Sequence, residues 1–148
     1  MHKILIYDVL QATSAFVVAA LRDRCELTCI ANGDEFQAEI TARQFDLIFL
    51  DIDSPDGHFL PLLQQIHAKD PFLPIIMTSK VEKAEIIVQA MNEGASDFLV
   101  QPIAQSRVNI AVDKAIQIRD QRFEIAYHRR KQDVVYDFKD VVAHSRIM

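Results

Sequence analysis

The chain has no tryptophan, three glycines and two cysteines among its 148 residues. Each scarcity excludes a class of protein. So little glycine rules out collagen-like and low-complexity architectures. No Gly-x-x-x-x-Gly-Lys-Ser/Thr sequence occurs, so this polypeptide has no ATPase phosphate-binding loop of that kind. The longest apolar run, Ala15 to Leu21, is far short of a membrane span. The N-terminus also lacks the charged, apolar, small-residue order of a secretory signal, so a cytoplasmic location and no membrane contact are expected. Cys25 and Cys29 fall on one face of a single predicted strand, at a separation that suits no local disulfide, and are expected to be buried free thiols. No further Cys or His ligand lies near them, and His2, His58, His67, His128 and His144 never stand at metal-ligand spacing.

What is present is the balance of a globular domain: half the residues are hydrophobic, a quarter are charged, and the formal net charge is -5. A chain of this length buries a real core and makes one domain, or one with a tail. Its acidity argues against general affinity for nucleic acid.

Strand and helix patterns alternate along the sequence. Lys3 to Tyr7 reads as a strand, after which Ser14 caps an apolar helix through Leu21. Glu26 to Ala31 alternates as a strand, Asn32-Gly33 signals a turn, and a helix from Asp34 carries Phe36 and Ile40 on one face. The apolar run Phe45 to Leu50 ends at Asp51, and Phe59, Leu60, Leu62, Leu63 and Ile66 form a helical stripe. Pro74 to Thr78 is a strand, a helix from Glu82 to Glu93 is closed by Gly94, and Asp97 to Val100 is the fifth strand. Near-continuous apolar strands separated by helices imply a doubly wound α/β fold with a five-stranded parallel sheet. The last helix, Ser106 to about Lys131, spans about 39 Å at 1.5 Å per residue, longer than one sheet face can use. Val108, Ala111, Val112 and Ala115 form its core stripe. Ile116 and Phe123, and Ile118 and Ile125, repeat seven apart, which suits either a dimerising coiled coil or a solvated linker.

Ligands of open parallel sheets bind outside the carboxyl ends of the strands. Here those ends carry Asp8, Asp51, Thr78-Ser79 and Gln101-Pro102, gathering carboxylates, hydroxyls and an amide at one rim. Neighbouring aspartates raise each other's proton affinity unless a cation intervenes, and a hard cation such as magnesium is the natural partner.

The succession of Asp8, the Phe-Asp-Leu-Ile-Phe-Leu-Asp run ending at Asp51, Ser54-Pro55-Asp56-Gly57, Thr78, Glu93-Gly94-Ala95-Ser96-Asp97-Phe98 and Pro102 resembles the receiver domain of two-component response regulators. The resemblance covers residues 2 to about 118. It implies a flavodoxin-like (βα)5 fold, Asp51 as phospho-acceptor, Thr78 as the hydroxyl that follows the phosphoryl group, and Asp8, Asp51 and Asp53 as magnesium-site residues. A sensor histidine kinase and a second copy of the chain are the partners implied.

Two departures stand out. The family has paired acids after the first strand, whereas Asp8 stands between Tyr7 and Val9, either of which could occupy the missing acid's place. The family's Lys-Pro after strand five is Gln101-Pro102 here, and a neutral amide does not hold a phosphoryl dianion as an ammonium does. Phe59 stands where the family usually has Gly, and Phe98 occupies the aromatic switch position. An atypical receiver with weak or vestigial phosphorylation and weak or absent magnesium binding is therefore expected.

Beyond the long helix, Val141, Val142, Ala143, His144-Ser145 and Met148 are similar to the opening segment of the AAA+ ATPase domain in sigma-54-dependent, nitrogen-regulation-type activators. This implies a receiver over 1–118, a helical linker over 119–132 and the start of a truncated output domain over 133–148. The basic cluster His128-Arg129-Arg130-Lys131 suits a helix C-terminus and is not expected to touch nucleic acid. A rival reading takes Asp51 and Asp53 as the nucleophile and acid of a haloacid-dehalogenase-like phosphatase. Against it, two βα units precede the pair, and no lysine is taken to follow strand four or five. A flavodoxin would need a better phosphate loop than Gln11 to Ser14 provides.

Overall fold

The computed structural model describes residues 1–11, 13–53, 59–122, 124, 125 and 127. Five strands, β1 (His2–Tyr7), β2 (Cys25–Ile30), β3 (Leu47–Asp51), β4 (Ile75–Ser79) and β5 (Asp97–Val100), alternate with α1 (Ser14–Leu21), α2 (Gly33–Ala42), α3 (Phe59–Lys69) and α4 (Ala84–Asn92). A fifth helix, α5, occupies 105–122. The sheet is parallel throughout, in the order β2-β1-β3-β4-β5. This is the flavodoxin-like arrangement expected.

The strands read as apolar runs because both faces of the sheet are covered. On one face Val17 and Leu21 of α1 and Val108, Ala111, Val112 and Ala115 of α5 pack over Ile4, Ile6, Phe49, Ile76 and Leu99. On the other, Phe36 of α2, Leu63 and Ile66 of α3 and Ala90 of α4 close over Leu5, Ile48, Leu50, Ile75 and Met77. Each large aliphatic side chain buried this way stabilises the fold by about 1.5–3 kcal/mol.

Several local expectations are corrected. Ser14 is the first residue of α1, and Thr13 holds the N-cap position without a side-chain cap bond. Asn32-Gly33 is a helix start: the Asn32 side chain accepts from the Glu35 N–H at 2.8 Å and Gly33 opens α2. Cys25 and Cys29 are both free, but only Cys25 is buried. Both lie on the edge strand β2, and Cys25 joins the core beneath α1 and α5 whereas Cys29, four residues further along, lies outside that cluster.

Helix α5 is fastened along its length. Arg107 pairs with Asp97 at 3.2 Å, Arg24 bonds Asn109 at 2.6 Å and also Asp113, and Arg119 pairs with Asp46 at 2.8 Å. Ile116 belongs to the core rather than to a heptad seam, whereas Ile118 and Ile125 are exposed. Phe123, His128 to Lys131, the 133–148 segment and the Ser54 to His58 loop lie outside the described residues. No helix among the described residues is long and apolar enough to cross a membrane.

Candidate functional site

The strand order reverses between β1 and β3, which opens a crevice at their carboxyl ends. Register sets the depth of each residue there. Tyr7 pairs with Leu50 and Asp51 pairs with Thr78, so Asp8, Asp51 and Thr78 come level at adjacent strand ends, and Ser79 pairs with Val100 to bring Gln101 to the same rim. Asp8, Thr13, Asp51, Thr78 and Ser79 are the buried polar residues among the described ones, in a core otherwise apolar.

Asp51 sits at the centre of this rim. Its Oδ2 accepts from the Thr78 hydroxyl at 2.9 Å and from the Thr13 hydroxyl at 2.5 Å, and its Oδ1 accepts from the Asp53 N–H at 2.9 Å. Burial pushes the Asp51 carboxyl above its ordinary range. The three hydrogen bonds oppose that rise and the charge of Asp8 adds to it.

Asp8 does two things at once. Its Oδ2 accepts from the N–H groups of Thr13 and Ser14, at 2.7 and 2.8 Å, holding the start of α1 where the helix dipole favours an anion. Its Oδ1 is buried with no hydrogen-bond partner. Asp53 is turned to the β4–α4 connection, where it accepts from the Ser79 hydroxyl at 2.9 Å and the Lys80 N–H at 2.5 Å. Lys80 follows β4 directly, so the expectation that no lysine stands there is wrong. Gln101 donates its side-chain amide to Thr13 Oγ1 at 2.6 Å.

Sequence reasoning missed Thr13. It is 1 % exposed, and it touches Asp8 through its backbone and Asp51 and Gln101 through its hydroxyl. The loop that delivers it turns at Gln11, whose φ of 56° is left-handed. The available signal was a pair of cap-type residues, Thr13 and Ser14, one of which the helix does not need as a cap. Tyr7, by contrast, is committed to packing, its ring edge-on to Phe36 at 5.1 Å.

The donor set offers a resident magnesium a poor site. The carboxylate oxygens of Asp51 and Asp53 are shared with protein donors, Val9 contributes no side-chain oxygen, and at this rim Asp8 Oδ1 is the carboxylate oxygen without a hydrogen-bond partner. Among the described residues no group of three or more His, Cys, Asp or Glu is placed to hold a metal ion. Magnesium demands near-octahedral oxygen ligation and loses its waters reluctantly, so one unengaged carboxylate oxygen is a poor anchor.

Comparison with known proteins agrees with this geometry. The chain is 38% identical over 84 residues to the chemotaxis protein CheY of Listeria monocytogenes, covering 57% of this chain and 71% of that one. It is 34% identical over 129 residues to the nitrogen assimilation regulatory protein NtrX of Azorhizobium caulinodans, covering 84% of this chain and 28% of that one. A crystal structure of NtrX from Brucella abortus superposes with a TM-score of 0.80 at 28% identity, over 86% of this chain and 30% of the other. The chain thus spans under a third of the NtrX proteins it matches. With the family model for the response regulator receiver domain matching residues 4–113, the chain belongs to the receiver-domain family of response regulators.

Proposed function

We propose that this chain is an atypical receiver that works as the signal-input module of a sigma-54-dependent transcription activator. Asp51 is its phospho-acceptor, and dimer contacts set much of its output state. The observation that carries this reading is the composition of the rim: Asp51 is buried among hydroxyl and amide donors from Thr13, Thr78 and, through Thr13, Gln101. Such a pocket orients a carboxylate nucleophile. Without a lysine in place of Gln101 to pair with it, or a second acid beside Asp8 to anchor a cation, it has little with which to hold a phosphoryl dianion. The edge-on packing of Tyr7 against Phe36 supports Val9 as the position where the second acid is missing.

The partners follow from the same reading. A sensor histidine kinase supplies the phosphoryl group, a second copy of the chain docks on it, and an attached AAA+ ATPase receives the output. The similarity to NtrX covers 84% of this chain, more than the receiver match over 4–113, and supports a segment that continues past the receiver; we assign it as a linker over 119–132 and the start of an output domain over 133–148. Exposed Val88 and Met91 on α4 and Ile110, Ile118 and Ile125 along the last helix support the dimer. The protein is cytoplasmic, makes no nucleic-acid contact through this segment and catalyses at most its own phosphorylation and dephosphorylation. Magnesium binds weakly. The phosphatase alternative draws no support from Asp53, whose carboxylate is engaged by Ser79 and Lys80.

Sedimentation of the chain with and without magnesium and beryllofluoride tests the dimer control. A dimer in both conditions supports phosphorylation-independent control, and a dimer only with beryllofluoride supports control through Asp51. A monomer in both overturns the dimer reading.

A further inference from the structure

We propose that Thr13 is a positioning residue for Asp51 and forms with Gln101 a neutral relay that joins the end of β5 to the Asp51 carboxylate. The proposal rests on the reading of Asp51 as the switch residue and deepens it by naming how its state reaches α5.

Proton count fixes the direction of the relay. Ionised Asp51 can only accept, and the Gln101 side-chain nitrogen can only donate. The Thr13 hydroxyl carries a single proton, which goes to Asp51 Oδ2 at 2.5 Å, and its lone pairs receive the Gln101 amide at 2.6 Å. The chain Gln101 to Thr13 to Asp51 is therefore polarised one way, and each bond strengthens the other in a buried setting. Thr13 cannot drift from this position freely, because its own N–H is held by Asp8 Oδ2 at 2.7 Å. Gln101 is anchored too, its N–H donating to the Ser79 carbonyl at 2.8 Å, while the Ser79 hydroxyl reaches Asp53.

The consequence concerns what happens when Asp51 Oδ2 stops accepting, whether through covalent modification or substitution. The Thr13 proton then has to find another acceptor, and the Gln101 amide loses the orientation that the polarised hydroxyl gave it. Gln101 is the first residue after β5, and α5 begins at 105, so the disturbance is delivered at the junction of the sheet with the outgoing helix. No cation and no lysine are needed.

The side-chain amide resonances of Gln101 report on the relay directly. They are to be recorded in the wild-type chain, in Asp51→Ala and Asp51→Leu, in Thr13→Val and Thr13→Ser, and in each Asp51 variant combined with Thr13→Val or Thr13→Ser. The relay predicts that both Asp51 substitutions shift the Gln101 signals when position 13 supplies a hydroxyl, whether from threonine or from serine. It also predicts that the shift falls to a small fraction in the Thr13→Val background. Asp51→Leu, which also lacks an acceptor and fills more of the buried space, keeps the test open if Asp51→Ala does not fold. Gln101 signals that ignore Asp51 substitution, or that respond equally in the Thr13→Val background, would overturn the proposal. Acetyl phosphate labelling of the wild-type chain separates the two levels: no label at Asp51 removes the acceptor reading, while the resonance shifts decide the relay by themselves.

Discussion

Asp8 Oδ2 accepts from the backbone N–H of Ser14 at 2.8 Å, so an acid expected to serve a cation also serves as the cap of α1. The same oxygen holds the Thr13 N–H, and the helix begins with its side-chain cap supplied from a residue outside it. Replacing Asp8 by alanine removes both bonds and leaves two helix-start donors in a buried place. The expected loss is about 1–2 kcal/mol by chemical denaturation, with Asp8→Asn losing less because its carbonyl can still accept. If Asp8→Ala leaves stability unchanged, the capping role is wrong.

The Asp46–Arg119 pair ties α5 to the start of β3 and carries a pH signature. Burial opposes the Asp46 charge, but the Lys3 N–H, the Arg119 guanidinium and His2 outweigh it and hold the carboxyl below its ordinary range. A depressed folded value means that Asp46 contributes stability above its unfolded pKa of about 3.9 and loses it as pH falls through the folded value. Asp46→Asn should therefore destabilise the chain at neutral and mildly acidic pH, and the gap should close as pH falls below about 4. Urea unfolding of both proteins across this range measures it, and a gap that persists undiminished or widens below about pH 4 would contradict the assignment.

Gly94 ends the α4 connection at a φ of 112°, and a Cβ there would lie 2.9 Å from Nδ1 of His67 on α3. Gly94→Ala thus meets both backbone strain and a neighbouring ring, for an expected cost of about 1–2 kcal/mol or more. His67→Ala should recover the steric part and leave the conformational part. Thermal melts of the two single variants and the double variant separate these contributions. Full recovery in the double variant would show that backbone strain is not a factor.

Elements governed by local pattern were legible in the sequence. Asp97 to Val100 is a strand as read, and the stripe of Val108, Ala111, Val112 and Ala115 is the buried face of α5. The rim of Asp8, Asp51, Thr78 and Gln101 was legible too, because parallel strands of similar length bring their carboxyl ends level. Other features depend on contacts between distant residues. Thr13 and Ser14 are equivalent as cap residues, and only the approach of Asp51, 38 positions away, decides that Thr13 faces the site. Cys25 and Cys29 follow the face rule alike, but only Cys25 is packed with the core residues of α1 and α5, which no local pattern announces. Ile116 continues a heptad in sequence, yet the sheet is wide enough to bury it.

On the proposed reading, Asp51 is an acceptor whose pocket is short of one acid and one ammonium. Magnesium-dependent labelling by acetyl phosphate, read as added mass at Asp51, tests this most directly when the wild-type chain is compared with a Val9→Asp/Gln101→Lys variant and an ordinary receiver. Wild-type labelling is expected to be detectable but at least about tenfold slower than that of the ordinary receiver, equivalent to about 1.4 kcal/mol or more, with a clear gain in the double variant. Wild-type labelling as fast and complete as that of the ordinary receiver would contradict it.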